Sequence, residues 1–131
     1  MNASLDRIVR QRAQGRCEYG RLPERLHPAP FQIDHVVARQ HSGRTEAGNL
    51  ALACIHCNRY KGPNIAGVDP LTGQIVPLFH PRRDEWTAHF AWSGSRLTGL
   101  TPAGRATIQV LNLNAASMLD LREALKEEME F

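Results

Sequence analysis

Apolar residues recur at helical spacing near the start of the chain, at Leu5, Ile8, Val9 and Ala13. This spacing predicts a helix, with Ser4 as its N-cap and Gly15 as its stop signal. Residues 16–30 then hold one glycine and three prolines, which predicts an irregular segment.

Two segments with alternating apolar side chains follow, and each predicts a short strand. They span residues 31–37 and 49–54, with a polar loop over residues 39–48 between them. Residues 55–61 can form two helical turns, which Gly62-Pro63 ends because proline disfavours helix at the residue before it. The predicted order is strand, long loop, strand, helix. The strand side chains expected to face inward are Phe31, Ile33, Val37, Leu50 and Leu52.

The second half of the chain carries weaker strand patterns and two helices. Residues 74–79 predict a strand, and residues 89–92 with 96–100 predict a hairpin around Ser93-Gly94. Thr101-Pro102 is a helix-start signal; residues 107–113 also fit a strand, but we favour the helix. Asn114 or Ser117 is expected to cap a final helix, whose acidic residues from Asp120 to Glu130 face solvent. The inward side chains of these helices are expected to be Ala103, Ala106, Val110 and Leu111, then Met118, Leu121, Leu125 and Met129.

Length and composition indicate one folded domain over residues 1–131. The chain is 42% hydrophobic and 22% charged, which is typical of a globular protein. No stretch approaches the roughly 20 apolar residues of a membrane span, and the N-terminus lacks the apolar core of a signal peptide. We therefore expect a cytoplasmic protein with no membrane partner.

Basic side chains are concentrated in the first half of the chain. Residues 1–66 hold ten basic and five acidic residues, a balance of +5, whereas residues 67–131 hold six and eight, a balance of −2. Fourteen of the sixteen basic residues are arginine, whose planar fork suits phosphate. Nucleic acid becomes a plausible partner, although a solvated basic surface explains the charge equally well.

Asp34-His35 is the first candidate for chemistry. Hydrolysis of a nucleic-acid backbone requires a base to activate water and a cation at the scissile phosphate. An aspartate offers a hard oxygen ligand, and a histidine titrates near neutral pH. Neighbouring strand residues point to opposite faces, so both can reach one ion only if the strand ends or twists there. The loop that begins at Ala38 permits this.

Three ordered segments surround this pair: Phe31-Gln-Ile-Asp-His-Val-Val37, Gly48-Asn49-Leu50-Ala-Leu and Cys54-Ile-His-Cys57-Asn58-Arg-Tyr-Lys61-Gly62. With Arg16-Cys17-Glu18-Tyr19 before them, they resemble the HNH, or ββα-metal, nuclease family. The resemblance implies an α+β fold in which a ββα-metal core covers about residues 27–64. An N-terminal helix would precede the core, and a C-terminal extension of strands and helices would cover about residues 67–131.

The resemblance also implies residue roles. His35 would be the general base, Asn49 would orient His35 and its loop, and Asp34 and Asn58 would bind one catalytic divalent cation. Because these ligands offer oxygen, Mg²⁺ or Mn²⁺ is the expected cofactor. The implied activity is an endonuclease that hydrolyses phosphodiester bonds in DNA.

His56 is the main rival of Asn58, because it is a stronger ligand for zinc or nickel. The two side chains diverge by about 200° on a helix, so only one can face the hairpin. The family register selects Asn58.

Four cations are candidates for phosphate binding, although such side chains are more often solvated or ion-paired surface residues. They are Arg59, Lys61, Arg82 and Arg83.

Three cysteines, Cys17, Cys54 and Cys57, are candidate ligands of a structural zinc ion. Many relatives carry two Cys-x-x-Cys pairs, but Gly20 replaces the second cysteine of the first pair here. A closed zinc site almost always has four ligands, so three buried thiols are the favoured interpretation. His27 or His56 could supply a fourth ligand, although neither occupies the family position.

Two other functions stay open. The chain could be a non-catalytic nucleic-acid-binding module on an HNH scaffold, or a purely structural zinc module. The set of Asp34, His35, Asn49 and Asn58 favours the nuclease over both. A homodimer is compatible with double-strand cutting by one active site per chain.

Overall fold

The computed structural model describes residues 1–126, which fall into two compact units. Unit 1 comprises Met1–Ile65 and His80–Asp84, and unit 2 comprises Ala66–Phe79 and Glu85–Phe131, of which the last five residues are not described. The prediction that the whole chain forms one domain stays a prediction.

Short helices and antiparallel strands build both units, which confirms the predicted α+β class. The helices are α1 (Ala3–Ala13), α2 (Ile55–Lys61), α3 (Trp86–His89), α4 (Pro102–Val110) and α5 (Ala116–Lys126). The strands are β1 (Gln32–His35), β2 (Leu50–Ala53), β3 (Ala66–Val68), β4 (Ile75–Pro77), β5 (Phe90–Ser93) and β6 (Arg96–Gly99). No helix within residues 1–126 is both long enough and apolar enough to cross a bilayer.

Unit 1 is organised around the β1–β2 hairpin. The strands are antiparallel, with Asp34 opposite Ala51 and His35 opposite Leu50. All four residues of β2 are buried, because α1 and α2 both pack against it. The predicted order of strand, long loop, strand and helix is confirmed, and α2 has the predicted bounds.

The sequence predicted the wrong inward-facing side chains for β1. Phe31 is buried as expected, but Asp34 and Val36 are the next buried side chains, whereas Ile33 and Val37 are only half-buried. Side chains alternate between the faces of a strand, so Ile33 and Asp34 point to opposite faces. The carboxylate occupies the interior because the Tyr19 hydroxyl and the Lys61 ammonium pair with it there.

The ends and faces of α1 also differ from the prediction. Asn2 is the N-cap in place of Ser4, and its side-chain oxygen accepts the backbone N–H of Leu5 at 2.8 Å. Ile8 belongs to the apolar pattern but is exposed, so Val9 and Ala13 make the buried contact.

Unit 2 contains two further hairpins and two longer helices. Strands β3 and β4 pair antiparallel, as do β5 and β6, and α4 packs against β3, β4 and β6. Asp69 lies fully buried after β3 and receives two hydrogen bonds from the Arg105 guanidinium, each 2.9 Å long. This ion pair connects the β3–β4 hairpin to α4.

Most of the predicted elements of unit 2 are present. The hairpin around Ser93-Gly94 and the helix after Thr101-Pro102 are confirmed, but the strand predicted over residues 74–79 is shorter. Strand β3 and the single turn of α3 were missed.

The final helix begins at Ala116. Asn114, one of its two predicted caps, instead binds the backbone N–H and C=O of Leu97, each at 2.8 Å. Ser117, the other, lies inside the helix. Met118 and Leu125 are buried as expected and Leu121 is half-buried, whereas Met129 and the last acidic residues lie outside the described residues.

We predict that Leu52→Ala lowers the free energy of unfolding of the protein by about 2–5 kcal/mol, because Leu52 is completely buried and its loss leaves a cavity. Leu71→Ala is the matched control: Leu71 is 73% exposed, and its removal should change stability by less than about 0.5 kcal/mol. Urea denaturation followed by far-ultraviolet circular dichroism measures both. Equal effects of the two substitutions would contradict the assigned core.

Candidate functional site

Three of the four residues that the sequence placed in the active site line one open pocket of unit 1. Asp34 and His35 reach it from β1 and Asn58 from α2, and the pocket has a volume of about 210 Å³. Arg39 lines the same pocket from the loop after β1. An acid, an imidazole, an amide and a cation therefore meet at one surface.

The Asp34 carboxylate is held from inside the unit. Its Oδ2 accepts a hydrogen bond from the Tyr19 hydroxyl at 2.8 Å and lies 3.1 Å from the ammonium of Lys61. The side chains of Lys61 and Asp34 are only 2% and 6% exposed. No residue within 1–126 donates to Oδ1, so this oxygen is available to a cation.

Burial dominates the electrostatics of this group. It raises the pKa of Asp34 above its ordinary value, and the positive charge of Lys61 and the hydrogen bond from Tyr19 offset only part of the shift. Burial and the neighbouring Asp34 charge also raise the pKa of Tyr19, so its hydroxyl remains a proton donor.

His35 presents its two ring nitrogens differently. Its Nε2 lies 2.8 Å from the Thr45 hydroxyl, in the loop between the strands. Its Nδ1 has no hydrogen-bond partner among residues 1–126. The backbone carbonyl of His35 accepts a hydrogen bond from Lys61 at 3.2 Å, so the ammonium contacts both residues of the Asp-His pair.

Asn49 lies beneath the loop that follows β1. Its side-chain oxygen accepts the N–H of Val37 at 2.8 Å, and its side-chain nitrogen donates to the carbonyls of Val37 and Arg44, each at 2.9 Å. Asn49 is buried and does not line the pocket. It binds the start of the loop at Val37 and its middle at Arg44, and so fixes the path of the chain beside His35.

Asn58 and His56 occupy different surroundings on α2. The side chain of Asn58 makes no hydrogen bond to any residue in the described range, which leaves its amide oxygen available. His56 does not line the pocket; its ring packs on Tyr60, with centroids 4.5 Å apart. The pocket therefore contains Asn58 and not its rival.

The four candidate phosphate-binding cations separate into two groups. Lys61 is buried on Asp34, and the Arg82 guanidinium forms an ion pair with Glu18, another buried residue of unit 1. These placements do not favour contact with an external phosphate. Arg59 and Arg83 are exposed. Arg39 was not singled out from the sequence, because one arginine in a polar loop carries no distinguishing signal.

The three cysteines form a separate buried cluster, in which the sulfur atoms lie within 4.8 Å of one another. No His, Asp or Glu in the described part of the chain joins it, so neither His27 nor His56 supplies a fourth ligand there. The backbone N–H groups of Gly20 and Cys57 each lie 3.4 Å from the sulfur three residues earlier, that of Cys17 and Cys54 respectively. The turn at Gly20 thus keeps the geometry of a cysteine pair without its second thiol.

The thiols influence one another's ionisation. Burial raises the pKa of Cys17, but hydrogen bonds from the other two thiols and from backbone N–H groups outweigh it, so the net shift is downward. Their hydrogen bonds to Cys17 raise the pKa of Cys54 and Cys57. The cluster therefore favours one thiolate, at Cys17, and could hold a metal ion.

Comparison with known families agrees with this geometry. A family model described as HNH endonuclease matches residues 17–64, which confirms the resemblance drawn from the sequence. No curated protein and no solved structure gives a significant match to the chain.

We predict that Lys61→Met destabilises the protein by about 3–5 kcal/mol, because it leaves the buried Asp34 carboxylate without its cation. The double variant Asp34→Asn/Lys61→Met removes both charges and should recover a large part of this loss. Urea denaturation of Asp34→Asn, Lys61→Met and the double variant gives the coupling free energy between the two charges. Additive effects would show that the two charges are not coupled.

Proposed function

Because residues 17–64 of this chain match a family model described as HNH endonuclease, we propose that the protein is a metal-dependent endonuclease that hydrolyses phosphodiester bonds in DNA. The HNH domain supports a nucleic-acid-related function. The observation that carries the finer proposal is the single pocket shared by Asp34, His35 and Asn58 within the matched segment.

His35 is proposed to be the general base. Nε2 is engaged by Thr45, so Nδ1 is the ring nitrogen with a free approach. A neutral imidazole with a free lone pair can take a proton from a water molecule, which then attacks the scissile phosphorus. Asn49 contributes by holding the loop that carries Thr45.

Asp34 and Asn58 are proposed to hold a divalent cation, Mg²⁺ or Mn²⁺. The residues fit such an ion, because Asp34 Oδ1 and the Asn58 amide are free of hydrogen bonds within residues 1–126 and border the same pocket. Oxygen ligands suit hard cations. When bound, the ion would neutralise charge on the scissile phosphate and its leaving oxygen.

DNA contact is proposed to centre on the pocket and its exposed arginines. Arg39 borders the pocket, and Arg59 and Arg83 are exposed in the same unit. The basic excess of residues 1–66 supports this proposal. One active site per chain predicts nicking by the monomer, and a homodimer if both strands are cut.

The three-thiol cluster is proposed to hold a structural zinc ion through Cys17, Cys54 and Cys57. The close sulfur atoms and the N–H groups directed at Cys17 and Cys54 support a soft metal. Gly20 supplies no fourth ligand, so the ion should be held less tightly than in a four-cysteine site.

We expect wild-type protein to nick supercoiled plasmid with Mg²⁺ or Mn²⁺ and not with chelator. His35→Ala should lower the rate by about 10²- to 10⁴-fold, the usual contribution of a general base. His41→Ala is the matched control, because His41 is exposed in the loop after β1 and does not line the pocket. Gel electrophoresis of the plasmid gives the rates. DNA binding without cleavage under any divalent cation would reject the proposal in favour of a binding module.

We expect purified protein to contain zinc, and to release it at a lower chelator concentration than Gly20→Cys does, because the new thiol completes a four-ligand site. Cys57→Ser should lose the metal. Elemental analysis after dialysis against graded chelator measures this. Equal zinc content in wild type and Cys57→Ser would show that the cluster is not a metal site.

A further inference from the structure

The Thr45 hydroxyl is the only side-chain group within residues 1–126 that hydrogen-bonds to the His35 ring. Thr45 is exposed, so burial does not explain its place beside the imidazole. Thr45 was not identified from the sequence, which gives no sign that a residue ten positions after His35 would reach its ring.

Two features of the loop set the position of this hydroxyl. Asn49 binds the carbonyl of Arg44, the residue immediately before Thr45, and both polar backbone groups of Val37, two residues after His35. Gly43 allows the loop to close, because a Cβ at this residue would lie 1.7 Å from the Val37 carbonyl oxygen. The contact between Thr45 and His35 therefore follows from fixed backbone on both sides.

The contact matters because a neutral imidazole carries one N–H and one lone pair. With the proton on Nε2, the ring donates to the Thr45 oxygen and leaves the Nδ1 lone pair free. With the proton on Nδ1, the Nε2 lone pair is occupied by the hydroxyl and no basic nitrogen remains available. Only the first tautomer can accept a proton from water without rearrangement.

We propose that Thr45 is a positioning residue: its hydroxyl accepts a hydrogen bond from Nε2–H of His35, and this contact holds the imidazole with its Nδ1 lone pair free. This inference deepens the proposed function of His35 and rests on it for its catalytic meaning. The tautomer itself can be measured without any activity.

The test compares wild type with Thr45→Ser and Thr45→Val by long-range ¹H–¹⁵N NMR of labelled protein at pH 8. Serine keeps the hydroxyl, and valine keeps the branched shape without it. We expect His35 to give an Nε2–H tautomer in wild type and Thr45→Ser, and a mixture of tautomers in Thr45→Val. His89 is an internal control for folding, because its Nδ1 pairs with the Thr101 hydroxyl at 2.6 Å in unit 2 and its signals should not move.

Plasmid nicking by the same variants supplies the second readout. Thr45→Val should lower kcat by about 10- to 100-fold with little change in KM. This loss is smaller than that expected from removal of the general base itself, because His35 is still present. Thr45→Ser should retain most of the rate. An Nδ1–H tautomer in wild type, or a Thr45→Val spectrum and kcat equal to those of wild type, would overturn the inference. If the His35 tautomer depends on Thr45 but the protein does not nick DNA, the positioning role of Thr45 is supported. The proposed nuclease activity is then rejected instead.

Discussion

The burial of Asp34 against Lys61 is the constraint around which the candidate site is arranged. Lysine and aspartate are almost never fully buried unless they are paired, because each loses its hydration. The 3.1 Å contact between them joins β1 to the last turn of α2, and Tyr19 completes the arrangement from the segment before the hairpin. Three separate parts of the sequence thus fix one carboxylate.

This arrangement gives Asp34 two distinct oxygens. Oδ2 faces Tyr19 and Lys61 inside the unit, and Oδ1 receives no hydrogen bond within residues 1–126. A carboxylate held on one side cannot turn freely, so its other oxygen has a defined direction. The ammonium also supplies a positive charge close to the pocket, which a bound cation would have to tolerate.

Much of unit 1 could be predicted from local signals. The end of α2 follows from Gly62-Pro63, and the hairpin follows from two alternating segments. The inward face of β1 could not be predicted, because apolar alternation favoured Ile33 and gave no indication that Lys61 would receive Asp34. The brief strand β3 lies in a turn-rich stretch and acquires its structure from pairing with β4. Likewise, the motif indicated Asp34, His35, Asn49 and Asn58, whereas Tyr19, Arg39 and Thr45 depend on contacts between distant residues.

The chain returns to unit 1 at His80–Asp84, beyond the end of the matched family segment. Within this return segment, Arg82 forms an ion pair with the buried Glu18. The limit of sequence similarity is consequently not the limit of the compact unit. Residues 66–79, which belong to unit 2, are translated before this return segment. During synthesis, residues 17–64 are made before Arg82, the residue whose guanidinium forms an ion pair with Glu18. The two units are interleaved along the chain. Synthesis of unit 1 is therefore complete only after the first segment of unit 2 has been made.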